Sequence, residues 1–293
     1  MIAGIAVFGA NGQLGSALAR RAAERRIKLA LLPHAQVDIT DAKAVTAALR
    51  DNSIGVAVNA AAYTAVDKAE SDSERAFAVN RDGPATLAQA CSTQGAQLIH
   101  VSTDYVFDGT KTGPYVESDP IAPLGVYGRS KAEGEVAVIR NAPDSIILRT
   151  AWVYGLEGAN FIKTMLRLGA EREHVRVVND QKGSPTYADD LADAILSLID
   201  ERERATTSVY HLAGQGVATW YEVAQEIFAE TRRRALRTPR LEAITAAEYP
   251  TPAKRPANSV LDCGLIRRDF GIELPDWRNA LGRMLNAHLG AAR

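Results

Sequence analysis

A tyrosine and a lysine four residues apart, Tyr127 and Lys131, form the pattern in this sequence that most directly suggests chemistry. If the segment is helical, the two side chains share one face, because positions i and i+4 are neighbours on a helix. A nearby ammonium group lowers the pKa of a phenol, so that Tyr127 could exchange a proton near neutral pH. The same spacing also occurs by chance in many helices, so this prediction depends on the rest of the chain.

Two hydroxyl groups and a carboxyl group, those of Ser102, Thr103 and Asp104, end an apolar stretch upstream of this pair. The stretch is predicted to be a strand, and ligands of open α/β sheets bind beyond the carboxyl ends of the strands. We therefore expect the hydroxyls of Ser102 and Thr103 to hold a substrate carbonyl oxygen. The alternative is a Ser-Thr pair that merely ends a strand.

Glycine recurs at every third position near the N-terminus, in a segment made of Gly9, Ala10, Asn11, Gly12, Gln13, Leu14 and Gly15. An apolar stretch over 2–8 precedes it, and a helical pattern over 14–23 follows. Glycine lets the backbone approach a pyrophosphate closely, and a helix N-terminus offers free N–H groups to the anion. This order of strand, loop and helix predicts a dinucleotide-binding site, with a purely structural glycine turn as the alternative.

The end of the second predicted strand, 27–32, bears on the choice between NADPH and NADH. NAD-binding proteins commonly place an acid near this point to bind the ribose 2′-hydroxyl. Here the strand runs into a proline and His34 without a carboxylate, which favours NADPH, with NADH as the alternative. No arginine follows directly, so we expect Arg20 or Arg21 to reach a 2′-phosphate. His34 is either an exposed loop residue or a phosphate ligand.

Strand and helix patterns alternate through the first half of the chain. The predicted strands are 2–8, 27–32, 56–59, 97–103 and 146–150, and the predicted helices are 14–23, 41–50, 73–93 and 127–141. Such alternation implies βαβ units and therefore an α/β fold with a Rossmann-type, doubly wound parallel sheet. Residues 1–150 are thus expected to form the dinucleotide-binding domain.

The second half is less regular and is predicted to form a smaller α/β substrate-binding domain. Helices are expected over 160–171, 188–200, 220–234, 265–270 and 277–288, and strands over 175–178 and 208–212. The proline-rich stretch 238–256 lacks a steady period and is predicted to be a loop. Residues 151–293 are therefore assigned mainly to substrate binding, with some segments returning to the first domain.

The composition of the 293 residues is that of an ordinary globular protein, 46% hydrophobic and 24% charged. With 34 Lys+Arg against 35 Asp+Glu, the net charge of −1 gives no reason to expect nucleic acid or a membrane as a partner. Cys91 and Cys263 form no CxxC pair and are expected to be reduced thiols. No apolar run approaches the roughly 18 residues of a membrane span, and no basic residue precedes the N-terminal apolar stretch. We expect a cytoplasmic protein.

Longer segments of the sequence resemble the extended short-chain dehydrogenase/reductase superfamily and, within it, the dTDP-4-dehydrorhamnose reductases. The resemblance runs from the N-terminus to about residue 262. Its most specific parts are Val-Asp-Lys-Ala-Glu over 66–70 and Thr-Asp-Tyr-Val-Phe over 103–107. The other matching segments are 59–65, 108–109, 123–128, 148–155, 160–161, 179–181, 183–186 and 255–259.

The resemblance implies a reaction and a set of roles. The reaction would be the NAD(P)H-dependent reduction of the 4-keto group of dTDP-4-dehydro-L-rhamnose to dTDP-L-rhamnose, the last step of dTDP-rhamnose biosynthesis for cell-wall polysaccharide. Tyr127 would donate the proton, Lys131 would lower the pKa of Tyr127 and hold the nicotinamide ribose, and Thr103 would bind the keto oxygen.

The resemblance also implies two sets of binding residues. The pyrophosphate would lie along Ala10, Asn11, Gly12, Gln13 and Leu14, the adenine beside Asp38 and Ile39, and the rest of the cofactor along Ala61, Ala62 and Tyr63. The substrate would contact Ser102, Thr103, Asp104, Trp152 and Arg255. Trp152 has a buried core tryptophan as its alternative, and Arg255 a solvated loop arginine.

Other functions within the superfamily remain open at this point. A reductase of a related nucleotide 6-deoxy-4-keto sugar would share every catalytic residue, and a C4 epimerase or a non-catalytic, cofactor-binding regulatory subunit is a further alternative. Tyr105 stands where 4,6-dehydratases typically carry a second acid, which disfavours dehydration. Some members dimerise through magnesium near the position of Asp189 and Asp190, but the C-terminal tail offers no acidic partner. We expect no metal, and a monomer or a homodimer.

Overall fold

Strands and helices alternate along the first half of the chain. The computed structural model describes residues 4–205 and 208–290. In chain order the first elements are β1 (Gly4–Phe8), α1 (Gln13–Glu24), β2 (Leu29–Leu32), α2 (Ala42–Asp51), β3 (Ile54–Asn59), α3 (Val66–Ala69), α4 (Ser73–Phe77), α5 (Gly83–Gln94), β4 (Gln97–Thr103), α6 (Val126–Asn141) and β5 (Ile146–Thr150). A π-helical turn over Ala78–Asp82 joins α4 to α5, and a 3₁₀ turn over Asp104–Val106 follows β4. Residues 2 and 3 of the first predicted strand lie outside the described ranges.

The second half contains longer helices and shorter strands. In chain order these are β6 (Val153–Tyr154), α7 (Phe161–Glu171), β7 (His174–Val178), β8 (Lys182–Gly183), β9 (Thr186–Tyr187), α8 (Ala188–Glu201), β10 (Val209–His211), β11 (Ala218–Thr219), α9 (Trp220–Arg233), β12 (Arg240–Ile244), α10 (Gly264–Phe270) and α11 (Trp277–Gly290). Short 3₁₀ turns occupy Arg202–Arg204 and Ala246–Glu248.

The central sheet is parallel throughout the described residues. Its six strands follow the order β10-β5-β4-β3-β1-β2, and each neighbouring pair is parallel. The chain changes direction across the sheet between β1 and β3, which opens a crevice at the carboxyl ends of these strands. This topology confirms the predicted Rossmann-type doubly wound fold.

Helices cover both faces of this sheet, which explains why its strands are apolar on both sides. On one face, α1 and α8 pack around Leu18 and Ile195. On the other, α2, α5 and α6 pack around Leu49, Leu87 and Val138. Burying each such aliphatic side chain contributes about 1.5–3 kcal/mol, so the two layers hold the carboxyl edge of the sheet in place.

A separate hydrophobic cluster forms among the later elements. Helices α7, α9 and α11 pack with β7 around Phe228, Trp277 and Met284. Strand β10 nevertheless lies beside β5 in the central sheet, with Tyr210 opposite Leu148. The polypeptide after residue 150 therefore contributes both to this cluster and to the central sheet.

The prediction of a continuous loop over 238–256 is wrong. Within it, β12 pairs in parallel with β7, from Arg240 opposite His174 to Ile244 opposite Val178. Ile244 is the one fully buried residue among the five of β12. Arg240 to Ala243 alternate between polar and apolar residues, but Ile244 breaks the alternation, so the strand pattern in the sequence is weak.

Candidate active site

A cleft of about 810 Å³ lies at the carboxyl edge of the central sheet. Its walls come from the glycine segment, from the end of β4, from α6 and from the second half of the chain. The residues predicted for catalysis and substrate binding meet here, since Ser102, Thr103, Asp104, Tyr127, Lys131, Trp152 and Arg255 all line the cleft. So do Asn11, Gly12, Gln13, Leu14 and Ala62 from the predicted cofactor set.

Helix α6 carries the tyrosine and the lysine on one buried face. It begins with Gly125 as N-cap, and the Val126 N–H donates to Glu70 Oε1 at 2.8 Å. A carboxylate at this end also suits the positive pole of the helix dipole. Glu70 belongs to the specific Val-Asp-Lys-Ala-Glu segment, so one role of that segment is to fix the start of the helix that holds Tyr127 and Lys131.

Tyr127 keeps its phenol proton at neutral pH. Burial raises the pKa of Tyr127 to about 12, while the hydrogen bond with the Thr103 hydroxyl lowers it and the Asp104 charge raises it. The ring also meets the Tyr105 ring edge to face, with centroids 5.5 Å apart. The phenol is therefore an acid that retains its proton until a stronger base, such as an alkoxide, forms beside it.

Lys131 does not exert the expected lowering of the pKa of Tyr127 in this arrangement. Its Nζ donates to the Val101 carbonyl at 2.7 Å, and burial lowers the pKa of Lys131 to about 8, with Glu135 opposing that shift. Burial of the phenol dominates instead. The sequence pattern correctly placed the two side chains on one face but could not anticipate the cost of burying both.

A neutral histidine lies behind the lysine. The Asn59 Oδ1 accepts from the Ala61 N–H at 3.1 Å, so the Asn59 amide nitrogen faces His100 Nδ1 at 3.0 Å. His100 Nδ1 therefore accepts, which places the proton of the neutral ring on Nε2. This N–H lies 3.4 Å from Lys131 Nζ, and because a charged lysine only donates, the two groups are in contact without a hydrogen bond. Burial and the Lys131 charge hold the pKa of His100 well below its usual range. Hydrogen bonds through Asn59 therefore link His100 to the backbone at Ala61.

A buried ion pair supports the same end of β4. The Arg149 Nε and Nη2 donate to the Glu135 carboxylate at 3.0 and 2.7 Å, and both side chains are 3% exposed or less. The Ser102 hydroxyl donates to Glu135 Oε1 at 2.5 Å. Because the Ser102 proton is donated to Glu135, the Ser102 oxygen can only accept a hydrogen bond from a substrate. The sequence reasoning missed Glu135 and Arg149, although Glu135 continues the i, i+4 spacing of Tyr127 and Lys131.

The glycine segment fits a dinucleotide pyrophosphate. Gly9 has φ of +77°, and a Cβ there would lie 2.6 Å from the Ala61 backbone. A Cβ at Gly15 would lie 2.3 Å from the Gly9 carbonyl oxygen. Helix α1 begins after Gly12 with no side-chain cap and no acid in its first turn, so its N-terminus is suited to an anion. Ala10 is buried beside this turn.

We expect Gly15→Ala to weaken NADPH binding by about tenfold or more, because the new methyl group must displace backbone atoms and overpacking typically costs about 1–3 kcal/mol. Calorimetric titration with NADPH measures the effect. Gly282→Ala is the matched control, since a Cβ at that helical glycine would have no neighbouring atom within 4 Å, and affinity should be unchanged. Equal affinity of the Gly15 variant and the parent would contradict the pyrophosphate assignment.

A second cavity of about 330 Å³ extends from the glycine segment toward the residues that follow β2. It brings together further residues of the predicted cofactor set, since it is lined by Gly9, Asp38, Ile39, Ala61, Ala62 and Tyr63. The Asp38 carboxylate accepts from the Thr40 N–H and hydroxyl at 2.9 and 2.8 Å. Burial opposes these bonds, but they and the nearby His34 and Arg75 charges leave the pKa of Asp38 below its ordinary value.

The prediction that Arg20 or Arg21 reaches a 2′-phosphate is wrong. Arg20 pairs with Glu157 and Asp189 at 2.6 and 2.5 Å, and Arg21 pairs with Asp193 at 2.7 Å. Both arginines face acids of α8 and its neighbourhood, because α1 packs against that helix. Neither lines the second cavity within the described chain.

Arg75, on α4, lines the second cavity instead, together with His34. His34 is exposed, and its Nδ1 lies 3.8 Å from Asp38 Oδ2. Sequence reasoning missed Arg75 because it lies far along the chain from the glycine segment. The only available signal was that α4 follows β3, whose carboxyl end borders the same crevice.

Aromatic rings form one wall on the substrate side. Trp152 and Trp220 stack with centroids 3.5 Å apart and planes 5° apart, and Phe161 lies 4.7 Å from Trp220. Trp152 has φ of +46°, a conformation that costs a non-glycine residue about 1–3 kcal/mol and is typical of functional positions. Trp152 is half-buried rather than a core residue, and the sequence reasoning missed its partner Trp220.

Arg255 is neither a fully solvated side chain nor an unpaired one. Its guanidinium donates to the Asp67 carboxylate at 3.0 and 2.8 Å and to the Thr251 hydroxyl at 2.6 Å. Asp67 also accepts from the Ala253 N–H at 3.2 Å. The specific segment that caps α6 thereby also anchors the arginine at the rim of the cleft.

The acidic pair that suggested a metal position is held by arginines. Asp189 pairs with Arg20 at 2.5 Å, and Asp190 accepts two hydrogen bonds from Arg283 at 2.7 and 2.6 Å. Across 4–205 and 208–290, no group of three or more His, Cys, Asp or Glu side chains is arranged to hold a metal ion. Arginine here provides the charge that balances these acids.

Comparisons with known proteins agree with this geometry. The RmlD substrate binding domain family matches residues 3–289. The dTDP-4-dehydrorhamnose reductase of Sinorhizobium fredii is 44% identical over 289 residues, which cover 97% of each chain. A probable dTDP-4,6-dihydroxy-2-methyloxan-3-one 4-ketoreductase of Streptomyces antibioticus is 42% identical over 276 residues, covering 94% of this chain and 92% of that one.

A solved structure of a relative has the same fold as this chain. The dTDP-4-dehydrorhamnose reductase of Bacillus anthracis, determined in complex with NADP, superposes with a TM-score of 0.92 at 34% identity. The match covers 98% of this chain and all of that one. Since the family model spans nearly the whole sequence and several relatives exceed 40% identity, the chain belongs to the RmlD substrate binding domain family of dTDP-4-dehydrorhamnose reductases.

Proposed function

We propose that this protein is an NAD(P)H-dependent reductase that converts the 4-keto group of dTDP-4-dehydro-L-rhamnose to the alcohol of dTDP-L-rhamnose. The observation that carries the proposal is the meeting of Thr103, Tyr127 and Lys131 in one cleft that continues to the glycine segment. The Sinorhizobium fredii and Bacillus anthracis relatives bear the name of this activity.

The chain's residues supply the proton and the positioning. When bound, the reduced nicotinamide supplies a hydride, and thus two electrons, to the substrate's C4 carbon. Tyr127 gives its phenol proton to the keto oxygen, which completes the alcohol and balances the reaction. Lys131, whose Nζ lies beside the end of β4, is assigned to the nicotinamide ribose, and the Thr103 hydroxyl to the keto oxygen. Ser102, Asp104, Trp152 and Arg255 are assigned to the rest of the substrate.

The cofactor residues are assigned in two groups. The pyrophosphate belongs to the turn of Ala10, Asn11, Gly12, Gln13 and Leu14, and the adenosine to the cavity lined by Asp38, Ile39, Ala61, Ala62 and Tyr63. Residues 1–150 are accordingly assigned to the cofactor, and 151–293 mainly to the substrate. The 2′-phosphate of NADPH is assigned to Arg75, because an arginine suits phosphate geometry and this one lines the adenosine cavity.

Arg75→Gln is expected to raise KM for NADPH by about tenfold or more while leaving KM for NADH nearly unchanged, since a charged hydrogen bond contributes about 1.5–3 kcal/mol. Steady-state kinetics with each cofactor measure the ratio. Arg20→Gln is the matched control and should not alter it, because Arg20 pairs with Glu157 and Asp189. An unchanged ratio in the Arg75 variant would remove Arg75 from the 2′-phosphate site.

A reductase of a related nucleotide 6-deoxy-4-keto sugar is the second candidate. The Streptomyces antibioticus relative favours it, because a 4-ketoreductase of a different name reaches 42% identity. Such an enzyme would retain Thr103, Tyr127 and Lys131 and differ in the lining around Trp152 and Trp220. A non-catalytic regulatory role is disfavoured, since it would not require this intact set.

Loss of reduced-nicotinamide absorbance, with dTDP-4-dehydro-L-rhamnose and either NADPH or NADH, tests the proposal. Rapid loss of signal is expected, and the two rates rank the cofactors. No loss with either cofactor, from a folded protein that binds NADPH, would overturn the assigned substrate. The same assay with other nucleotide 4-keto sugars then examines the second candidate.

A cytoplasmic location and a monomer or homodimer complete the proposal. Cys91 and Cys263 are free thiols, and burial raises the pKa of each to about 12. Cysteines without a disulfide are typical of reducing compartments. In the described part of the chain, no helix combines the length and apolarity that spanning a membrane requires. Size-exclusion chromatography with light scattering measures the oligomeric state.

A further inference from the structure

The single hydroxyl proton of Thr103 is engaged by a neighbouring carboxyl group. Its oxygen accepts from the Tyr105 N–H at 3.2 Å, and its hydroxyl donates to Asp104 Oδ1 at 3.0 Å. The Tyr127 phenol is a neighbour of the same hydroxyl, which lowers the pKa of Tyr127 against burial. An ionised carboxylate only accepts hydrogen bonds, so an ionised Asp104 holds the Thr103 proton. That proton is then not available to a keto oxygen in the cleft.

Asp104 is built into a place where its acid form is favoured. It is 2% exposed, and its Oδ2 has no hydrogen-bond partner among the described residues. The titratable groups facing it are Tyr105 from its own turn and Tyr127 from α6, and the Ser259 hydroxyl faces it from the C-terminal segment. Burial raises the pKa of Asp104 to about 6, against smaller lowering by Ser259 and Thr103.

The cations of the cleft do not offset this burial, because they are engaged with other groups. The Lys131 Nζ donates to the Val101 carbonyl at 2.7 Å. The Arg255 guanidinium pairs with Asp67 at 2.8 Å. Asp104 is therefore a buried carboxyl group next to the proposed reacting site that accepts from the Thr103 hydroxyl and has no cation as a partner among the described residues.

We propose that Asp104 acts in its protonated form as a positioning residue, donating its acid proton to the Thr103 oxygen and so turning the Thr103 proton toward the keto oxygen. The inference rests on the proposed reductase function and deepens it. Protonation reverses the direction of the hydrogen bond between the two side chains without moving their heavy atoms. The Asp104 proton is not consumed, since Tyr127 supplies the proton that enters the product.

The pH dependence of turnover tests the role of Asp104. Single-turnover rates at saturating NADPH and substrate are expected to fall as pH rises through about 6, because the acid form is the effective one. Asp104→Asn should lose this fall, since its amide nitrogen donates at every pH. Thr103→Ser, which keeps the hydroxyl, should retain the fall. Thr103→Val should be slower and lack it.

Two kinetic outcomes would overturn the proposal. If the Asn variant keeps the same fall, another group titrates. If the Val variant keeps it, Asp104 does not act through Thr103. A parent enzyme whose turnover rate does not fall as pH rises through about 6 would also overturn the proposal.

A measurement without substrate separates this inference from the proposed function. Carbon-13 NMR of aspartate-labelled protein should show one carboxyl carbon titrating near pH 6 that is missing in Asp104→Asn. Thr103→Val should raise that midpoint further, because the ionised form loses a donor. A midpoint near the ordinary value of about 4 would refute the inference. A parent enzyme that shows this titration but no turnover would refute the substrate assignment alone.

Discussion

Tyr127→Phe is expected to reduce turnover by about 10²–10⁴-fold, the usual contribution of a general acid, while leaving NADPH affinity nearly unchanged. The phenol is buried at the cleft and keeps its proton at neutral pH, because burial raises the pKa of Tyr127 to about 12. Phenylalanine retains the ring and its edge contact with Tyr105 but has no proton to donate. Single-turnover kinetics and calorimetric titration with NADPH separate the two effects.

Tyr105→Phe provides the matched control for this prediction. Tyr105 lines the same cleft and is equally aromatic, but its phenol is assigned no proton transfer. A loss below about tenfold is expected there. If the two variants lose turnover equally, the effect belongs to packing of the aromatic pair, and if Tyr127→Phe retains full turnover, another group is the acid.

The predictions that the structure confirms are those that depend on the spacing of residues close together in the sequence. Tyr127 and Lys131 share a helix face because their separation alone determines it. Gly9 and Gly15 could be assigned because close backbone approach excludes any larger residue. The parallel, doubly wound sheet followed from alternating strands and helices, since βαβ crossovers have one hand and their ligand sites one edge.

What the sequence did not reveal depends on residues far apart in the chain. Arg20 is close to the glycine segment in sequence, yet Asp189 and Glu157 bind it, whereas the distant Arg75 lines the second cavity. The stacking of Trp152 on Trp220 likewise joins separate elements. Strand β12 was missed because it lies at an edge, where exposed residues are tolerated and the buried pattern is weak.

Burial was the second source of error, because it changes charge behaviour without changing spacing. A lysine near a phenol was expected to lower the pKa of that phenol, but burial of both side chains moves the pKa of Tyr127 up and the pKa of Lys131 down. Burial thus favours the neutral form of each group.

Arg149→Met is expected to destabilise the fold by about 3–5 kcal/mol, because it leaves the Glu135 carboxylate buried without its cation. Glu135 would retain the Ser102 hydroxyl as a partner but lose both guanidinium hydrogen bonds. For a chain of this size the thermal midpoint should fall by on the order of 10 °C. Differential scanning calorimetry measures the shift. Arg167→Met is the control, since the Arg167–Glu171 pair is exposed and worth about 0–1 kcal/mol.

The double variant Arg149→Met with Glu135→Leu distinguishes a lost attraction from an uncompensated charge. If the stranded carboxylate causes the loss, removing it should restore part of the stability, because buried ion pairs are often replaceable by apolar side chains. Turnover should remain low even so. Glu135 raises the pKa of Lys131 against burial, and it is the one anion among the described residues that favours the charged form of the lysine, so its removal deprives Lys131 of that support. A double variant that is stable but inactive would show that the ion pair supports the active site as well as the fold. A double variant that recovers both stability and turnover would show that the pair contributes to packing only.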